Sequence, residues 1–216
     1  MLNTNNLNKN NTHITIWLYL SLFLVSALIF IGGLTRLTES GLSITNWELF
    51  SGILPPLTDK KWEYYFSLYK QIPQYKEINF GMSLAEFKYI FWWEYIHRLL
   101  ARLASLTFIL PFIYFVIKKK FNFKQIVFYS IISLLFFFQG FLGWYMVKSG
   151  LISNTDVSHF RLSAHLLGAQ IILSLLFFSI LFRNTKKIYL NLYSYLILFF
   201  LIIIFFQIAI GAFVSG

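Results

Sequence analysis

Four stretches of this chain, residues 14–34, 125–147, 162–182 and 188–216, each run for 21 residues or more without a charged side chain. A bilayer core about 30 Å thick is crossed by roughly 20 apolar residues of helix, and a helix satisfies its own backbone there. A fifth, interrupted run covers residues 91–117. With 58% hydrophobic residues, the chain has too few polar side chains to cover a water-soluble surface. The fold class is therefore all-α, a polytopic transmembrane helical bundle. The first run follows a polar tail, residues 1–13. It is too long for a signal-peptide core and has no small-residue cleavage site before Arg36, so it reads as a retained helix.

The net charge of +10 would suit nucleic acid, but the basic residues sit at the ends of apolar runs rather than along a soluble face. They set topology. Lys118, Lys119, Lys120 and Lys124 crowd one short loop and Arg183, Lys186 and Lys187 another, which places both loops, and the N-terminal tail with Lys9, on the cytoplasmic or matrix side. The segment 35–90 carries six basic and six acidic residues, the mixed balance of a translocated loop, and residues 148–161 share that outer face. With Trp47, Pro55, Pro56, Trp62, Tyr64, Tyr65 and Pro73, the long loop is too aromatic for a linker and is expected to fold onto the outer membrane surface. Ser83 and Glu86 have the spacing of a capping box that starts the second span. Gln139-x-x-x-Gly143 and Gln207-x-x-x-Gly211 echo one another near the outer ends of two parallel spans, with Gly32-Gly33 at comparable depth. These echoes fit a repeated unit, or simply small residues that allow close helix contact.

Ionisable residues inside a span usually face protein and usually have a task. The uncharged part of the second span, residues 103–117, makes only about 22 Å of helix at about 1.5 Å per residue, so the turns bearing Glu94, His97, Arg98 and Arg102 enter the membrane. At about 100° per residue these four, with Ala101 and Ser105, fall within an arc of about 140°. Glu94 and Arg98, at i,i+4, also suit a plain ion pair. His165 lies as far inside the fourth span as His97 lies inside the second. Two imidazoles at matched depth on separate helices suit bis-histidine ligation of a haem, and Ala101, Ala164, Gly168 and Ala169 beside them leave room for a macrocycle. An interhelical hydrogen bond is the bland use of either histidine. Zinc lacks ligands, because no cysteine and no His-x-x-x-His completes a tetrahedral site. His13 and His159 receive no ligand role.

The strings Gly32-Gly33-Leu-Thr-Arg36-Leu-Thr-Glu39-Ser40-Gly41-Leu-Ser43, Ile53-Leu-Pro55-Pro56-Leu, Phe91-Trp-Trp93-Glu94-Tyr-Ile-His97-Arg98-Leu-Leu-Ala-Arg102, Gln139-Gly-Phe-Leu-Gly143-Trp144 and Arg161-Leu-Ser-Ala-His165-Leu resemble the haem A synthase family. The long outer loop without a cysteine pair looks like the mitochondrial and alphaproteobacterial branch. The resemblance implies oxidation of the C8 methyl of haem O to a formyl group for cytochrome oxidase. It also implies a bacterial or mitochondrial inner-membrane location, with haem O synthase and cytochrome oxidase assembly factors as partners beside haem O and membrane lipid. It makes His97 and His165 the ligands of substrate haem O and Glu94 the catalytic carboxylate; Arg98 and Arg102 then suit the propionates. Family members have about eight spans in two related halves, and haem b is expected in a C-terminal half that these 216 residues do not include. Residues 14–187 would be the haem-binding bundle and residues 188–216 the start of the missing half, as in an incomplete chain. The alternative is a bis-histidine b-type cytochrome, which leaves Glu94 without a task. Haem O synthase chemistry is disfavoured, since Asp59 and Asp156 form no Asp-rich pair. No nucleic acid partner is expected.

Overall fold

The computed structural model describes residues 4–46, 51–152, 154–183 and 191–215; Trp47, Lys186, Lys187 and Ile188 lie outside the described residues. Five long helices dominate: α1 (Thr4–Leu37), α4 (Leu84–Ile117), α5 (Phe123–Gly150), α6 (His159–Phe182) and α7 (Leu192–Ser215). Each contains a stretch long and apolar enough to cross a membrane, and the protein is a multi-pass membrane protein. α1 starts inside the polar tail, which contains neither Pro nor Gly to stop it. Two short helices, α2 (Asp59–Tyr69) and α3 (Pro73–Glu77), stand in the loop between α1 and α4.

The helix ends follow local chemistry. Ser83 caps α4 with a capping box completed by Glu86, and Asn122 with Gln125 does the same for α5. α1 ends in a Schellman turn, with Ser40 N–H donating to Thr35 O and Glu39 N–H to Arg36 O. α4 ends likewise through Lys120 to Phe115 and Lys119 to Val116. The left-handed position is filled by Glu39 (φ 52°) in the first turn and by Lys119 (φ 51°) in the second.

α1 packs on α4 and α6, and α5 packs on both of these as well, so the four close into a ring; α7 lies outside it against α6. The ring has two levels. Away from the long loop it is filled by rings and branched chains: Trp17, Leu18, Phe108, Phe112, Tyr129, Ile132, Phe136, Ile172 and Leu176 are all buried. Trp17 stacks on Phe108 at 4.9 Å and meets Tyr129 edge-on at 5.2 Å. Its indole N–H donates to the carbonyls of Thr107 and Phe108, both at 3.1 Å. That bond has a cause in the sequence, because Pro111 has no N–H to give the Thr107 carbonyl one turn earlier, and in a bilayer no water replaces it.

At the other level the loop forms a lid on α4. Trp62 and Phe66 of α2 meet Phe91 and Phe87 at 5.0 Å each. Fully buried Tyr69 donates to Gln74 Oε1, whose amide nitrogen donates to Glu39 O; burial holds this phenol above the ordinary tyrosine range. The loop therefore packs on the end of the bundle rather than trailing from it.

Trp17→Phe keeps the aromatic packing but strands the Thr107 carbonyl, and is expected to lower stability in detergent by about 1–3 kcal/mol. Pro111→Ala, which restores a helical N–H to that carbonyl, should recover most of the loss in the double variant, as read by thermal unfolding. A loss unchanged in the double variant would show that the indole bond is unrelated to Pro111.

Candidate functional site

The residues singled out from sequence gather at the loop end of the ring. His97 on α4 faces α1 at Gly32, where a Cβ would stand 3.0 Å from the imidazole Cε1. His165 on α6 faces α5 at Gly143, where a Cβ would stand 3.3 Å from Cε1. Each imidazole thus lies close against a glycine, where a side chain on the adjacent helix would press on the ring. The two rings, each half-buried, lie on α4 and α6.

Their surroundings differ. The Nδ1 of His97 is enclosed with no hydrogen-bond partner. His165 is held by Gln139 of α5. In the amide orientation that satisfies every neighbour, Gln139 Nε2 donates to His165 Nδ1 at 2.9 Å and to the His165 carbonyl at 3.1 Å, and Oε1 accepts from Ala169 N–H at 3.1 Å. A Cβ on Gly168 would fall 1.8 Å from that amide, so the glycine is what admits it.

Glu94 is buried, 2% exposed, and turns toward the loop. It accepts from Ser43 Oγ at 2.7 Å, from Ile44 N–H at 2.8 Å and from Arg98 Nε at 3.0 Å. Arg98 Nη2 donates onward to Ile44 O at 3.1 Å. The i,i+4 ion pair is therefore present, and it also fastens the loop to α4. Arg98 and Arg102 line one narrow cleft under the loop with Ile44, Asn46 and Tyr95; neither histidine lines it. His159 is exposed, with its ring 5.7 Å from Phe213 of α7, and His13 is exposed on α1. An ion pair not anticipated from sequence joins Arg36 to Asp156 at 2.9 Å. Gln139 and Gly143 were given no role at the histidines from sequence, and the structure sets both against His165.

The donor set fits a haem. Among the described residues no three His, Cys, Asp or Glu side chains group together, as a zinc site would require. Two imidazoles on separate helices, with an enclosed polar nitrogen beside them, are a donor set that would hold a porphyrin iron. The small residues around them leave the rings, rather than bulky neighbours, at the centre.

Comparison with known proteins agrees with this geometry. The chain is similar to Heme A synthase of Pelagibacter ubique, with 51% identity over 94% of the chain and 61% of the relative. It is similar to that of Flavobacterium psychrophilum at 45% over 96% of the chain and 62% of the relative, and to that of Rickettsia felis at 50% over 78% and 50% respectively. The chain spans about half to three-fifths of the length of these curated relatives. No solved structure matches it. The family model that matches, over residues 15–216, is the one described as Cytochrome oxidase assembly protein, COX15-CtaA. A match over nearly the whole chain decides the matter: the chain belongs to the cytochrome oxidase assembly protein family.

Proposed function

We propose that this chain is the part of a haem A synthase that receives haem O, an oxidoreductase whose product is haem A. The observation that carries the reading is the pair His97 and His165 on separate helices, each set against a glycine of an adjacent helix. In this reading residues 14–187 form the haem-binding bundle, and His97 and His165 would hold haem O. The porphyrin supplies the redox chemistry when bound. The protein's own residues orient it: α4 and α6 hold the imidazoles, the aromatic floor around Trp17 and Phe108 limits how deep a macrocycle sits, and the lid from α2 and α3 keeps bulk water from the loop end. Arg98 and Arg102 offer cations at the cleft for propionates. A second haem, haem b, belongs to a further helical repeat opened by α7, whose Gln207 and Gly211 repeat the spacing of Gln139 and Gly143. The setting is the inner membrane of a bacterium or mitochondrion with the N-terminus inside, alongside haem O synthase and cytochrome oxidase assembly factors.

Glu94 is assigned to managing charge near the oxidised methyl. Its bonds to Ser43, Ile44 and Arg98 favour a second reading, in which Glu94 ties the loop to α4 and the chain is a b-type electron-transfer cytochrome. That reading had lacked a task for Glu94, and the loop contacts supply one.

Three measurements test these assignments. His97→Ala and His165→Ala should each reduce haem retention at least about tenfold and abolish the low-spin spectrum, while His159→Ala should change neither; equal losses from all three would sink the assignment. Glu94→Gln in the full-length protein should keep haem bound and stop haem A formation, read by extraction and chromatography of the haems. In the cytochrome reading the same change instead destabilises the fold by about 3–5 kcal/mol, because Arg98 is left without its buried partner, and haem binding falls with it. A reporter fused at Lys119 should read the cytoplasmic or matrix side, and an outer-side signal would reverse the topology.

A further inference from the structure

The two histidines do not stand in equivalent hydrogen-bonding positions, and the difference has a chemical consequence. A neutral imidazole carries one proton, on one nitrogen. In the amide orientation that satisfies its backbone neighbours, Gln139 Nε2 donates to Nδ1 of His165; that nitrogen's lone pair is then occupied and the ring proton sits on Nε2. A ring in this form offers iron no free lone pair. To bind iron through Nε2, the proton must move to Nδ1, and Nδ1–H then needs an acceptor where Gln139 now presents a donor.

The amide does not turn over freely. It is fixed on its other side to the backbone of α6, giving one bond to the His165 carbonyl and taking one from Ala169 N–H. Turning it would set its oxygen against the His165 carbonyl and its nitrogen against Ala169 N–H. Gly168 shows that the site is built for this amide, since any Cβ there would collide with it at 1.8 Å. His97 meets no such opposition, because its Nδ1 has no partner to be displaced.

We propose that Gln139 is a positioning residue that holds His165 in its non-ligating tautomer, so that His97 is the firm axial ligand and His165 the releasable one. The proton moves within one neutral ring and no charge is gained or lost. The inference rests on the haem reading above and deepens it: a haem that arrives as substrate and departs as product is better served by one ligand whose binding form is scarce. Its apparent affinity is lowered by the fraction of His165 in that form.

The test uses the full 216-residue chain in detergent, labelled with 15N-histidine. NMR of the haem-free wild type should show His165 protonated on Nε2. Gln139→Glu, whose carboxylate only accepts, should move the proton to Nδ1, and should slow transfer of ferric haem to excess apomyoglobin by about tenfold. The slowing should vanish in the His165→Ala background. Gln139→Met, which removes the donor but supplies no acceptor, should abolish the Nε2 preference without that slowing.

An Nδ1-protonated His165 in the haem-free wild type would overturn the proposal without needing any variant to fold. So would transfer from Gln139→Glu as fast as from wild type; Gln139 would then only brace α6, and an intact low-spin spectrum would leave the haem reading standing. A wild type that takes up no haem, with the Nε2 proton in place, would instead overturn the haem reading and the releasable-ligand role together.

Discussion

Backbone helices approach one another closely at this site only where a side chain is missing. Gly32 lets α1 come within contact of the His97 ring, and Gly143 lets α5 do the same for His165. In a bilayer the lipid competes for apolar surface, so close packing and hydrogen bonds, rather than exclusion from water, hold helices together. The polar arc of α4 is tolerable for the same reason, since every ionisable group on it faces protein. If either glycine carried a methyl group, the imidazole would have to give by a few tenths of an ångström.

The Glu94 cluster is a second point of dependence, and it belongs to the lid. A buried carboxylate without partners would be strongly unfavourable, and here it collects a hydroxyl, a backbone N–H and a guanidinium. The loop is thereby docked through a polar knot at Ser43 and Ile44 and an aromatic face at Trp62 and Phe66. This gives α4 a fixed entry, from which the depth of His97 follows.

Much of this was legible in the residues alone. Uncharged length marked the spans, and Ser83 and Glu86 marked where α4 starts. What local patterns did not reveal is which helix each residue meets. Gln139 and His165 lie on different helices, and nothing in Gln-x-x-x-Gly says that the amide will reach a histidine rather than merely allow close contact. The Glu94 partners are about fifty residues away, and Trp17 finds the carbonyl freed by Pro111 across 90 residues. In each case the need, an unpaired carbonyl or a buried charge, was readable in the sequence, and the supplier was not.

Each histidine is finished by the span next to its own in the chain. α1 provides the slot for His97 on α4, and α5 provides both slot and clamp for His165 on α6, while α1 with α6 and α4 with α5 merely close the ring. In terms of biogenesis, each histidine and the glycine it lies against belong to spans that are neighbours in the chain, so the ribosome delivers each slot together with its occupant.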